Sequence, residues 1–237
     1  MILKIKEINL KNDAVIIADV HYKKGDEEFL KLLNKWLISP PPQIFLLGDI
    51  FHLLLPFQYL IQYNQEAIEL IESLALKTEV YYTPGNHDFN LKKIFKNVTI
   101  ADAFVDKKKS VFLTHGDLTC NDNIYLIYAR IVRNPFFQKL ANILSLNFIN
   151  NSLFKAILKK RVVCETMDNK KFKNIVKEKL KSIDYGIIIE GHYHQNKKFN
   201  ENNTLYINIP AYVCTKSYIL IQLDNNQLIK EIGNDGR

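Results

Sequence analysis

Five short apolar runs constrain this chain most, because each breaks off into a cluster of glycine, aspartate, asparagine and histidine. Ala14-Val15-Ile16-Ile17 leads to Asp19-Val20-His21, and Ile44-Phe45-Leu46-Leu47 leads to Gly48-Asp49-Ile50-Phe51-His52. Val80-Tyr81-Tyr82 precedes Gly85-Asn86-His87-Asp88, and Val111-Phe112-Leu113 precedes His115-Gly116-Asp117. The last run, Ile187-Ile188-Ile189, leads to Gly191-His192-Tyr193-His194. Apolar runs without polar alternation predict strands covered on both faces. Helical stretches fall at about 26–38 and 58–76, and a strand meander at about 203–232. The pattern is that of a layered α/β protein.

Every histidine of the chain, His21, His52, His87, His115, His192 and His194, lies in one of these clusters. In a twisted α/β sheet the carboxyl ends of the strands share one rim, where ligands bind. Imidazole with carboxylate or amide oxygen, and no thiolate, suits Mn²⁺, Fe²⁺ or Zn²⁺. In Asp19-x-His21 and His192-x-His194 the paired side chains point to one side if the backbone is extended. Asp49 is placed to bridge two metals ~3.5–4 Å apart, an arrangement that clamps phosphoryl oxygens and lowers the pKa of water.

Charge is unevenly spread along the 237 residues. The formal net charge is +7, yet residues 130–181 hold 13 Lys+Arg against Glu165, Asp168 and Glu178, a local +10. Within this segment Ile149, Leu153, Phe154, Ile157 and Leu158 form an apolar helical stripe beside Lys155, Lys159, Lys160 and Arg161. Phe136, Phe137, Leu140, Ile143 and Leu144 make a second such helix. Two readings stand: a helical cap with solvated lysines, or a basic, apolar-lined cleft for an amphipathic anion. Cys120, Cys164 and Cys214 fit no zinc spacing and read as free buried thiols in a reducing cytosol. Neither a signal peptide nor a membrane span is evident, so the expected location is cytoplasmic, with contact at a membrane face left open.

The ordered set Asp19-x-His21, Gly48-Asp49, Gly85-Asn86-His87-Asp88, His115 and Gly191-His192-x-His194 resembles the calcineurin-like metallophosphoesterase superfamily. The resemblance implies a four-layer α-β-β-α sandwich with a helical cap insert. The core would be residues 1–117 and 183–237, and the insert residues 118–182. It implies a hydrolase with two divalent ions, manganese first with iron or zinc open. One ion would take Asp19, His21, Asp49 and His194; the other Asp49, Asn86, His115 and His192. His87, oriented by Asp88, would stabilise the transition state or protonate the leaving oxygen, and His52 would support the site from behind.

A narrower set is similar to the UDP-2,3-diacylglucosamine pyrophosphohydrolases of lipid A biosynthesis. It comprises Gly85-Asn86-His87-Asp88-Phe89, His115-Gly116-Asp117-Leu118-Thr119-Cys120-Asn121-Asp122, Tyr125, Pro135 and the short Met167-Asp168-Asn169. Well-known members carry arginine where this chain has His87. That resemblance implies hydrolysis at the α-phosphate to UMP and 2,3-diacylglucosamine 1-phosphate. Asp122 and Tyr125 would contact the glucosamine end, Asn86 and His87 would also touch substrate, and Lys160 and Arg161 would be basic contacts from the insert. The enzyme would work peripherally on the cytoplasmic face of the inner membrane, with no nucleic acid and no obligate protein partner. The alternatives are a phosphodiesterase or nuclease whose insert tracks a nucleic acid backbone, and a scaffold without catalysis. Intact ligand positions argue against the scaffold.

Overall fold

The computed structural model describes residues 3–119, 127, 134, 147–223 and 229–233. Its twelve strands form two six-stranded sheets. In one, β2 (Val15–Ile17), β3 (Gln43–Leu47), β4 (Glu79–Thr83) and β5 (Thr99–Ile100) run parallel in that order. This sheet is completed beyond β2 by antiparallel β11 (Ser217–Ile221) and β12 (Ile229–Gly233). The other has the order β1 (Ile5–Glu7), β6 (Ala103–Asp106), β7 (Val111–Thr114), β8 (Ile187–Glu190), β10 (Thr204–Asn208), β9 (Lys197–Glu201).

The apolar runs lack alternation because both faces of each central strand are covered. Val15, Ile17, Ile44, Leu46, Val80 and Tyr82 face outward under α1 (Glu27–Ile38) and α3 (Gln65–Ala75). Their neighbours Ile16, Phe45 and Leu47 face inward and meet Val111, Leu113, Ile189 and Ile207 of the opposite sheet. Phe112, Ile188 and Tyr206 point out the far side and are covered by Phe172 and Val176 of α5 (Asn169–Leu180). The layers are therefore helix, sheet, sheet, helix, as expected. α5, which lies inside the 118–182 stretch, supplies the outer layer of the second sheet.

Helix faces follow the 3.6-residue period. α1 buries Phe29, Leu30, Leu33 and Trp36, starts at N-cap Asp26 and places Glu27 and Glu28 in its first turn, where the dipole favours them. Asp168 caps α5 by accepting from the amides of Lys170 and Lys171 at 2.9 and 3.1 Å. The stretch expected to be helical at 58–76 divides at Asn64 into α2 (Gln58–Tyr63) and α3. Asn64 is fully buried and donates its Nδ2 to Leu53 O and Leu60 O, giving the local hydrogen bonds that interrupt a helix. The expected C-terminal meander is corrected: β10 pairs with β8 and β9 in one sheet, whereas β11 and β12 belong to the other. Apolar alternation specifies a strand but not its partner, and here the chain changes sheet through α6 (Tyr212–Thr215).

Helix α4 (Asn147–Leu158) rests Phe154 and Leu158 on Leu53, Leu55, Leu60 and Phe89. Phe154 lies 5.1 Å from the Phe57 ring, centroid to centroid. Asp122, Tyr125, Cys120 and the expected helix at Phe136–Leu144 lie outside the described residues. Among the described residues no helix is long and apolar enough to cross a membrane.

Candidate metal centre

Each histidine cluster follows the carboxyl end of a strand: β2, β3 and β4 from one sheet, β7 and β8 from the other. The loops keep hydrogen-bonding after the strands end. His21 N donates to Asp49 O at 2.9 Å, Tyr22 N to Ile50 O at 2.8 Å, and Leu54 N to His87 O at 2.9 Å. The rim is thus a continuation of the sheet ladders and is rigid for that reason.

Its backbone departs from the extended form expected for the Asp-x-His and His-x-His pairs. Asp19, His21, Asp49, His192 and His194 have φ of 51°, 48°, 50°, 66° and 56°. These left-handed residues, alternating with ordinary ones, turn the paired side chains to one side, so the expected convergence is met by a different geometry. For side chains other than Asn, Asp or Gly such a conformation costs about 1–2 kcal/mol. Strain of this kind concentrates at functional sites. Two glycines make the packing possible. A Cβ on Gly85 would overlap Asp49 Oδ1, and one on Gly48, itself at φ 74°, would overlap the His115 ring.

Asp49 sits at the middle of the cluster. Its Oδ2 is 3.6 Å from His115 Nε2 and 3.9 Å from His21 Nε2, and its Oδ1 accepts from His87 N at 2.8 Å. Asp19 Oδ1 is 3.3 Å from His194 Nε2, and Asp19 Oδ2 accepts from His192 N at 2.9 Å. His115 Nε2 also approaches Asn86 Oδ1 at 3.4 Å, and the His115 and His192 rings are 5.1 Å apart. A carbonyl can only accept, so the imidazole nitrogen facing one carries the proton and the other nitrogen points at the site. His115 Nδ1 donates to Leu47 O at 2.8 Å, His194 Nδ1 to Val163 O at 3.2 Å, and His87 Nδ1 to His52 O at 2.8 Å. In all three, Nε2 is the inward atom.

Burial shapes the charge states. It pushes His21 down to about 4 against the pull of Asp49 and Asp19. His192 falls to about 4 through burial and then the neighbouring His115, and His52 to about 4 through burial and then Lys23 and His87. Burial opposes charge on His115 as well, but Asp49 overrides it and raises that ring to about 10. Burial would raise Asp49, yet His115, His21 and His87 hold it well below the usual carboxylate range. Asp88 is lifted to about 6 by burial and then by Asp49.

The donor set fits divalent cations. Asp19 Oδ1 and both ring nitrogens of His21 are buried without a hydrogen-bond partner, an arrangement that is costly unless a cation supplies the missing interaction. Asp19, His21 and His194 present ligand atoms within 4.8 Å of one another, as do Asp19, Asp49 and His115. Neutral imidazoles are the ligand-competent form, and at His115 a cation would take the place of the proton.

A cavity of ≈ 370 Å³ opens over this rim. His21, Asp49, Asn86, His87, His192 and His194 form its floor. Ile157 of α4 and Lys160, Arg161, Val162, Val163 and Met167 from the segment that follows it form its wall.

A family model, calcineurin-like phosphoesterase, matches residues 14–196 and so takes in every one of these clusters. The chain belongs to that family. This phosphoesterase is also similar to curated proteins named UDP-2,3-diacylglucosamine hydrolase. One from Coxiella burnetii is 27% identical over 54% of this chain and 56% of its own. The chain thus spans little more than half the length of that relative. One from Blochmanniella pennsylvanica is 27% identical over 76% of this chain and 78% of its own. Among solved structures, an archaeal phosphodiesterase covers 92% of this chain and 98% of its own, at 15% identity and a TM-score of 0.46.

The metal-dependent hydrolase expected from the motifs agrees with this membership, and every expected ligand within the described residues lies on the one rim. Two other expectations are corrected. Asp88 does not touch the His87 ring. Its carboxylate accepts from the amides of Asp49, Ile50, Phe51 and Gly85 at 2.6–3.2 Å and from Tyr82 OH at 2.6 Å, so it holds the loops that carry Asp49 and Asn86. Cys164 and Cys214 are not free thiols but a disulfide, and Cys164 is exposed. Their separation of 50 residues gives no hint of the pairing.

Two contributors carried no signal in sequence: Lys23 donates to Lys160 O at 2.6 Å, and Gln195 Oε1 accepts from Met167 N. His52, expected behind the site, has Nε2 3.2 Å from Ile157 O of α4. His52 also lies with His21 and His87, ligand atoms within 4.8 Å, so it stands nearer the site than a supporting position requires.

Proposed function

We propose that this phosphoesterase hydrolyses the pyrophosphate of a UDP-linked, diacylated glucosamine, giving UMP and 2,3-diacylglucosamine 1-phosphate. The observation that carries the reading is the cavity. Its floor is a metal-ligand set, and its wall sets Lys160 and Arg161 among Ile157, Val162, Val163 and Met167. Such a wall suits an anion with apolar substituents. The names of the curated relatives point to the same substrate.

Asp19, His21, Asp49 and His194 would hold one ion, and Asp49, Asn86, His115 and His192 the other. When bound, a divalent pair of this kind polarises phosphoryl oxygens and lowers the pKa of water, and manganese suits the nitrogen and oxygen donors. The protein's own groups do the rest. His87, its Nδ1 committed to His52 O, turns Nε2 into the cavity to bind a phosphoryl oxygen or give a proton to the departing oxygen. Lys160 and Arg161 neutralise charge on the non-attacked phosphate, and Arg161 can do so in bidentate fashion. Asp122 and Tyr125 remain proposed contacts for the glucosamine end. The basic insert would bring the enzyme to an anionic membrane surface from the cytoplasm.

The test is UMP release from UDP-2,3-diacylglucosamine by purified, manganese-loaded protein, followed by chromatography, beside bis-p-nitrophenyl phosphate as a generic diester. Release of UMP is expected. Hydrolysis of the diester alone would sink the lipid substrate and leave the phosphoesterase chemistry standing.

A further inference from the structure

Between α4 and α5 the chain runs through residues 160–167 without helix or strand, and this strap is the cavity's outer wall. Among the described residues, core side chains supply the hydrogen bonds that tie it down. Lys23 Nζ donates to Lys160 O at 2.6 Å, and His194 Nδ1 to Val163 O at 3.2 Å. Gln195 Oε1 accepts from Met167 N at 2.6 Å while its Nε2 donates to Glu165 O at 3.3 Å. Lys197 Nζ donates to Met167 O at 2.7 Å. Among the described residues its covalent tie is Cys164–Cys214.

The far end of that bond is well placed. Cys214 lies in α6, whose Tyr212 and Val213 amides donate to Ala18 O and Asp19 O at 3.1 and 3.0 Å. The chain of ties runs from the Asp19 main chain through α6, Cys214, Cys164 and Val163 O to His194 Nδ1, and leaves His194 Nε2 facing Asp19 Oδ1 at 3.3 Å. Opening the disulfide leaves the main-chain bonds of the rim in place and loosens only the Val163 carbonyl that orients the His194 ring.

We propose that the 160–167 strap is a positioning element for the centre and that Cys164–Cys214 is its clasp, setting the spacing and orientation of His194 against Asp19. The proposal rests on the metal-binding reading above. It makes the centre responsive to thiols. A dithiol attacks the exposed Cys164–Cys214 bond, leaves as a cyclic disulfide and donates two electrons and two protons, so that both cysteines become thiols. Val163 O then holds His194 less firmly, and groups that orient a metal-bound imidazole from behind are worth 10–100-fold in affinity, about tenfold being expected here.

The experiment titrates Mn²⁺ calorimetrically into full-length wild type, oxidised and dithiothreitol-reduced, and into Cys214→Ser. Oxidised protein is expected to bind two equivalents. Reduction and Cys214→Ser should each weaken one equivalent about tenfold and leave the other unchanged. Dithiothreitol should add nothing to Cys214→Ser. Trypsin should cut after Lys160 or Arg161 faster in the reduced and variant forms, a readout independent of metal. Equal affinity of oxidised and reduced wild type would overturn the clasp alone, as would iodoacetamide labelling of both cysteines in the native protein. A failure of the oxidised form to bind Mn²⁺ would overturn the dinuclear reading and the clasp with it.

Discussion

The floor and the wall of the cavity enclose the same space by opposite means. The floor is buried: Asp19, His21, Asp49 and His115 are each at most 5% exposed, on loops that extend the sheet ladders. Beyond Ile157 of α4 the wall is half-buried to exposed, without regular structure, and held by side-chain clips and one disulfide. Disturbing the floor therefore disturbs the core, whereas the wall can change without it and reaches the floor through the Val163–His194 contact. Chemistry belongs to the first and choice of substrate to the second, a division common to folds whose loops sit on a rigid scaffold.

Substitutions graded across the two regions test that division. The largest effect is expected from Asp49→Ala. Loss of the central carboxylate should remove the metal pair in Mn²⁺ titration and lower kcat/KM at least about 1,000-fold, ~4 kcal/mol of transition-state stabilisation. Activity surviving this change would remove Asp49 from the mechanism. Next is Asp88→Ala, which strips the acceptor from four amides and the Tyr82 hydroxyl. Buried donors left unpaired should destabilise the fold by about 3–5 kcal/mol, read as the urea midpoint. Asp88→Asn should cost less because one acceptor oxygen remains.

His87→Ala should lower kcat about 100-fold with both metal equivalents retained. Loss of a metal would instead make His87 a ligand. The smallest effect is reserved for the wall. Arg161→Ala should raise KM about tenfold with kcat nearly unchanged, the signature of lost uniform binding. An equal fall in kcat would erase the distinction between wall and floor.

What the sequence reveals follows the same line. Strands such as Ile44–Leu47 are legible because burial on two faces leaves no room for polar residues. The ligands are legible because the chemistry demands particular side chains. Asp88 is visible as a carboxylate, but its role is not, since its partners are main-chain amides of its own loop and of the loop after β3. Val163 acts through its carbonyl, which every residue type possesses, so no pattern marks it. The Cys164–Cys214 pair depends on where the strap crosses α6, a property of the folded chain alone. The stripe on α4 divides in the same way: Phe154 and Leu158 are buried in the packing, whereas Ile157, at its edge, also lines the cavity.

The left-handed backbone at Asp19, His21, Asp49, His192 and His194 has an evolutionary consequence. Glycine adopts that conformation without strain, so a lineage released from the reaction could relax each position by one substitution. The three histidines are the least comfortable occupants, because the short Asp side chain can hydrogen-bond locally in the left-handed region. Drift would be expected to erase His21, His192 and His194 first, which makes those three positions the earliest markers of a descendant that has kept the sandwich and abandoned hydrolysis.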